Sequence, residues 1–302
     1  MAEGLVVGPE DVDVDTQGRL YAGTEDGWIW RGQPEGVLEQ WVQTGGRPLG
    51  MDFDPQENLI VCDAVRGLLR VNPSGEVTTL VPAEGNPRLG FTDDCEVAKD
   101  GTIYFSDASE KYGVGRYMED MMEGRPHGKL LSHDPATRKT IVLLENLYFA
   151  NGVAVGGNDD FVLVNETYRF RVMRYWLKGE RKGESEVFVE GLPGYPDGIS
   201  SSPRGTFWLA LFTVRNATAD RLARRPWLRG QLLKLPRQLL PQPADYGLVI
   251  EMDADGKILR SLQDPEGRRI ANVTSVHEES GVLYFGNLLK DYVGRWSMEP
   301  SR

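Results

Sequence analysis

One phrase recurs six times along this chain of 302 residues, and it limits the architecture more than any other feature. An alternating strand runs into a turn built on Gly, Asp or Asn, and a second strand rich in β-branched and aromatic residues follows. Copies occupy residues 10–23, 49–63, 93–107, 149–164, 197–210 and 274–287, the last slightly shortened before its turn. Further strand-like runs lie between them, at residues 28–31, 67–71, 129–133, 172–176 and 293–296, several leading into an outer strand. Four short strands per repeat describe a propeller blade, so six repeats predict an all-β, six-bladed β-propeller forming a single domain over residues 1–302. The repeated two-strand phrase counts against a β-sandwich, and helical periodicity is too scarce for a parallel α/β sheet.

The last repeat is one strand short after Trp296, while Leu5, Val6 and Val7 precede the first phrase without a blade of their own. This predicts an N-terminal strand that closes the last blade and hides the sheet edges. Two segments depart from the repeat. Residues 213–242 carry Arg215, Arg221, Arg224, Arg225, Arg229, Lys234 and Arg237 among Leu222, Trp227, Leu228, Leu232 and Leu233. They read as a short amphipathic helical excursion in blade five, broken at Pro226. It is either a solvated lid or a lid that makes peripheral membrane contact or docks a partner. The excursion at residues 112–127, with Met118, Met121 and Met122, is expected to line the same mouth.

Composition narrows the function. Hydrophobic residues at 40% and charged residues at 26% fit a soluble globular chain, and the net charge of −11 argues against a nucleic-acid partner. The start has no basic region followed by an apolar run, so no signal peptide is visible. No apolar stretch reaches the roughly 20 residues of a transmembrane helix. With Cys62 and Cys95 as the two cysteines, separate thiols in a reducing compartment and a cytoplasmic location are the expectation, with a single bridge as the alternative.

Aligning the six phrases on their turns brings Glu10, Leu49, Asp93, Asn151, Asp197 and Thr274 to one position, the head of the strand that lines the central channel. Glu10, Asp93, Asn151 and Asp197 then form a ring of three carboxylates and one amide on the axis. Such a ring repels itself unless a cation sits within it. Oxygen-only ligands favour Ca²⁺, with another divalent cation as the alternative, and leave coordination positions for water or substrate.

The segments Gly8-Pro9-Glu10-Asp11, Phe91-Thr92-Asp93-Asp94, residues 103–109 and Asn151-Gly152-Val153 resemble the strictosidine-synthase-like proteins. So do residues 193–197, Arg225-Pro226-Trp227 and Val276-His277-Glu278. The resemblance runs through nearly the whole chain and is strongest to the adipocyte plasma membrane-associated protein group. It extends more distantly to the gluconolactonase/regucalcin, paraoxonase and diisopropylfluorophosphatase propellers. It implies an axial calcium ion and hydrolysis of a small-molecule lactone, ester or phosphotriester, with Glu10, Asp93, Asn151 and Asp197 as metal ligands. The third-blade ligand of these relatives is usually Asn, and here it is Asp93, with Asp94 as its substitute should Asp93 turn away.

The glutamate that serves as acid/base in the plant condensing enzyme falls on Thr274, which points away from condensation. Asp197 is the expected base or nucleophile and His277 a candidate proton shuttle, with a channel-wall role as the alternative. His127 and His133 receive no catalytic role, and Asp107 and Ser109 are expected to hold a turn. Phe91, Tyr112, Phe149, Tyr195 and Phe212 line a hydrophobic substrate pocket or pack between blades. The competing function classes are a non-catalytic binding or scaffold propeller with structural calcium, and a condensing synthase.

Overall fold

Each repeat contains more β-branched and aromatic residues than helix formers, and turn residues recur every few positions, so local propensity and pattern both favour short antiparallel strands. The computed structural model describes residues 1–298 except 224, 233 and 235–241, with residues 223 and 226 as backbone only. It contains five four-stranded sheets and one three-stranded sheet, each a simple meander in sequence order. These are the six blades. Their inner strands are Val12–Val14, Pro48–Phe53, Thr92–Val97, Ala150–Val155, Gly194–Ser201 and Val273–Glu279. Apolar side chains from facing sheets interlock between blades, as where Phe161 and Leu163 of blade four meet Phe207, Leu209 and Ile250 of blade five.

In blades two to six the inner strand carries a one-residue bulge at the same place. The bulge falls at Leu49-Gly50, Asp93-Asp94, Asn151-Gly152, Asp197-Gly198 and Thr274-Ser275, where three residues span two on the neighbouring strand. A bulge re-aims side chains and strengthens local twist. Repeated in five blades, it re-aims the head of each of their inner strands.

The expected N-terminal strand is not formed. Residues 5–7 are bends, blade six keeps three strands among the described residues, and Gly4 and Gly8 at φ of 76° and 57° kink the chain on both sides. Ring closure is achieved differently. Met1 and Val293 exchange two backbone hydrogen bonds of 2.7 and 3.0 Å at the outer edge of blade six. Val6, fully buried, packs between Val12 and Val14 of blade one and Tyr284 and Val293 of blade six. Deleting residues 1–7 should cost about 3–5 kcal/mol, the sum of one buried valine and several backbone bonds. Thermal unfolding with an unchanged Tm would refute this account of ring closure.

The excursion of blade five is helical, as expected. Helix α2 spans Ala217–Ala223 and α3 spans Pro226–Leu232, so the break precedes Pro226, which opens α3. Arg224, Leu233 and Arg237 lie outside the described residues. The excursion of blade three is also helical: α1, the blade-three helix, spans Tyr117–Glu123 and is capped by left-handed Gly124. Arg229 of α3 donates to the carbonyls of Met121 and Glu123 at its C-terminal end, so the two excursions meet over the mouth. No helix among the described residues is long and apolar enough to cross a membrane.

Candidate metal centre

The four expected ligands come from four blades and neighbour one another, Glu10 facing Asp93 and Asp197, and Asn151 bonding Asp197. Glu10, Asp93 and Asn151 are 7, 4 and 5% exposed. Burial raises Glu10 well above the ordinary carboxyl range, and Asp197 and Asp93 raise it further. Asp93 is raised for the same first reason, then by Asp197, with Arg47 as the opposing positive charge. Asp197 is pushed up to about 7 by burial, against the hydrogen bond it receives from Asn151. The sixth head, Thr274, is no ligand: its hydroxyl donates to the carbonyl of Glu10. Blade two contributes apolar Leu49, which joins Phe91 and Phe149 in an apolar cluster.

The backbone carrying these ligands is held from both sides. Arg47 of blade two donates through Nη2 to the carbonyl of Gly8 at 2.8 Å, and Asn287 of blade six donates its backbone N–H to Pro9 at 2.7 Å. Thr167 of blade four donates to the carbonyl of Pro196 at 2.7 Å, and Asn165 to that of Asp197. These anchors lie on second strands and connecting loops, which the aligned heads did not reveal.

A second set of carboxylates lies deeper. Asp13, Asp52, Glu96 and His277 stand three positions after the heads of their blades, and with Ser201 they line a channel cavity of about 100 Å³. Asp11 and Asp94 follow their heads directly. Most of these acids have a structural task. An inner strand is a sheet edge whose N–H groups face the channel, and each needs an acceptor. Asp11 accepts from Met51 at 2.8 Å, Asp52 from Val97 at 2.6 Å, Asp94 from Val153 at 2.8 Å and Glu96 from Val155 at 3.1 Å. Every one of these bonds joins one blade to the next.

The ring carboxylates differ. Among the described residues no backbone N–H bonds the side chain of Glu10, Asp93 or Asp197, and Asp94 does not replace Asp93, because its two oxygens are committed to Cys95 and Val153. Buried Glu10 and Asp93, half-buried Asp197 and one amide are an oxygen donor set suited to a hard divalent cation. Asp, Glu, His and Cys alone form no closed group of three among the described residues, so the set depends on the Asn151 amide and on rotation of the acids toward a common centre.

His277 lies one layer below the ring. Its Nδ1 is 3.0 Å from Asp13, its Nε2 is buried without a hydrogen-bond partner, and burial lowers its pKa. His133 bonds Thr140 on an outer strand and His127 bonds Glu123, away from the axis. Asp107 accepts from Gly90 and Phe91 at 2.9 and 2.7 Å, fixing the loop that enters blade three rather than the turn after its second strand. Ser109 bonds buried Asp120 of the blade-three helix. Of the expected pocket residues, Phe91 and Phe149 meet edge to face at 5.5 Å beside Leu49, and Tyr168 covers Phe149 at 4.7 Å. Tyr195 packs on Phe170, and Tyr112 lies against His127.

Comparison with known proteins agrees with this architecture. The profile of strictosidine synthase matches residues 93–180, and that of the strictosidine synthase-like N-terminal region matches residues 1–32. Protein strictosidine synthase-like 4 of Arabidopsis thaliana is 36% identical over 97% of this chain and 80% of its own length. The human adipocyte plasma membrane-associated protein is 36% identical over 98% of this chain and 77% of its own. A gluconolactonase of Xanthomonas campestris superposes with a TM-score of 0.66 at 15% identity, covering 93% of this chain and 82% of that one. A calcium-binding protein, regucalcin, of Agrobacterium tumefaciens superposes at 0.64 and 14%, with the same coverage of 93% and 82%. These two likenesses concern the fold. With more than a third of its residues shared along nearly its full length, the chain belongs to the strictosidine synthase-like family.

Proposed function

We propose that the chain is a calcium-dependent hydrolase of lactones or esters, with phosphotriesters as slower substrates. The observation behind the reading is the contrast within the channel. Acids one and three positions past the heads satisfy backbone donors, whereas Glu10, Asp93 and Asp197 at the heads have none to satisfy. When bound, a calcium ion would polarise a carbonyl or phosphoryl oxygen and stabilise the charge that develops there. Glu10, Asp93, Asn151 and Asp197 would hold it. Asn151 orients Asp197, and the ionised carboxylate of Asp197 would take a proton from water or attack directly. His277 with Asp13 would carry protons along the channel below. Leu49, Phe91 and Phe149 exclude water and favour an apolar acyl or aryl group.

Two further observations bear on the alternatives. The position that would carry a condensing enzyme's glutamate holds Thr274, committed to the backbone of Glu10. The closely packed aromatic cover over the ring is what a binding propeller with structural calcium would also show. Cys62 and Cys95 are buried and unbridged, and their thiols hydrogen-bond each other.

Hydrolysis of a lactone and aryl-ester panel should cease with chelator and return with calcium. Glu10→Gln, Asn151→Ala and Asp197→Ala should each lower kcat/KM by about 100-fold or more, as loss of transition-state charge stabilisation does. Each should also weaken calcium binding measured by calorimetry. Turnover indifferent to chelator and to all three variants would sink the mechanism; tight calcium binding without turnover would favour the binding propeller.

A further inference from the structure

The rim of the channel mouth has a composition that catalysis does not explain. Each inner strand starts at the metal ring and each blade is an antiparallel meander, so the loops entering the blades and the loops joining second to third strands all emerge at that end. Among the described residues the large exposed apolar side chains include Leu5, Val7, Val65, Tyr117, Trp227 and Leu289, and all six lie on these loops. They come from the N-terminal segment and from blades two, three, five and six, so they encircle the mouth. The remaining exposed apolar residues are Val37, in a loop at the opposite end, the adjacent pair Ile258 and Leu259, and single positions, all on the outermost strands of their blades.

Cations occupy the same rim. Arg88, Arg125, Arg169, Arg221, Arg225 and Lys234 are exposed, and among the described residues none forms an ion pair. Residues 213–242 hold seven basic residues against one acidic, in a chain whose net charge is −11. Positive charge is thus concentrated on the blade-five side of the rim, while exposed Glu3, Glu25, Asp26 and Asp291 lie on its blade-one and blade-six side. Trp227, 76% exposed, stands two residues from Arg225 on a helix fixed to the blade-three helix through Arg229.

We infer that this rim docks on an anionic lipid bilayer, its apolar side chains entering the interface and its cations meeting the headgroup charge. The apolar positions form a broken ring rather than one continuous patch. A fluid planar surface can engage all of them together, which a single folded partner would do only by covering the whole mouth. Docking places the channel mouth against the membrane. The inference is independent of the hydrolase reading, since binding can be measured without turnover.

The experiment is flotation of the full chain with vesicles of phosphatidylcholine, alone or mixed with phosphatidylserine. Binding should require the anionic lipid and weaken as salt is raised. Arg221→Gln combined with Arg225→Gln should reduce partitioning about 25-fold, near fivefold for each charge removed. Trp227→Ala should reduce it further and remove the part of the tryptophan quenching that brominated lipids produce in the intact chain. All three positions are exposed, so circular dichroism and Tm should not change. Absence of phosphatidylserine-dependent flotation, or flotation unaltered in both variants, would overturn the proposal. So would a salt-sensitive dimer in sedimentation velocity that the arginine variants abolish while no vesicles are bound, which would assign the rim to a second copy of the chain.

Discussion

With chelator present, the protein should become less stable as the pH rises from about 5.5 to about 8.5, and calcium should reverse the loss at the upper end. The direction follows from the channel acids. A carboxyl raised in the folded protein keeps its proton over a range where the unfolded chain has lost it, so folding binds protons there. Its contribution is full below the unfolded value, about 4, declines as pH climbs from there, and levels off above the folded value, which is about 7 for Asp197 and about 8 for Glu96. Glu10, Asp13, Asp52, Asp93 and Asp94 act in the same direction, each raised first by burial. Most carboxylates that gain a partner on folding behave in the opposite way and destabilise a protein as acid is added.

Calcium at about 100 times its dissociation constant adds about 2.7 kcal/mol, read as a Tm increase of roughly 4 °C at pH 8. The increase should shrink below about pH 6, where the ring holds protons that the ion must displace. Asp93→Asn removes one of the repelling charges. It should flatten the chelator profile and weaken the calcium response, whereas Glu96→Gln should flatten the profile and leave the ring's calcium affinity within about threefold of wild type. A chelator profile that rises with pH in the intact protein would show that the channel acids are not held protonated by burial.

The ring was legible because its members share one repeat position, which needs only turn alignment. The acids below it escaped the same alignment for a physical reason. Side chains alternate along a regular strand, so a residue directly after an axial head is expected to face away. The bulge at Asp93-Asp94 breaks that alternation, and Asp94 also reaches inward, to Val153 of the next blade. Asp13, Asp52, Glu96 and His277 then share a second register three positions along, visible once the bulge is allowed for. Leu5, Val6 and Val7 read as a strand on hydrophobicity alone, but two left-handed glycines fold them into a plug. The blade-three helix is only seven residues long, too short for periodicity to separate it from a loop.

Gly152→Ala should be among the most damaging single-methyl changes in the protein. The added Cβ would lie 2.4 Å from the carbonyl oxygen of Asp197 and 2.4 Å from the backbone nitrogen of Ile199. Both are main-chain atoms of the adjacent inner strand, so no side chain can swing aside. The blades must part, and overpacking of this kind costs about 3 kcal/mol or more. Because the displaced carbonyl belongs to Asp197, calcium affinity should fall by about tenfold or more along with Tm. Gly101→Ala is the control: its φ of 86° strains an alanine, but no atom lies within 4 Å of the new Cβ, so it should cost only about 1–2 kcal/mol and leave calcium binding intact.

The same position explains the residues that follow the heads. Gly50 lies against Asp94 of blade three, Gly152 against Asp197 of blade five and Gly198 against Thr274 of blade six, and each would clash as alanine. In blades one and three the position is Asp11 and Asp94, whose side chains bridge to the next inner strand instead. Blades one to five therefore meet their neighbours at the ring through either a missing side chain or a carboxylate staple, while blade six carries Ser275 at this position. If Gly152→Ala retained wild-type Tm and calcium affinity, close inter-blade contact could not be what fixes the axial ligands.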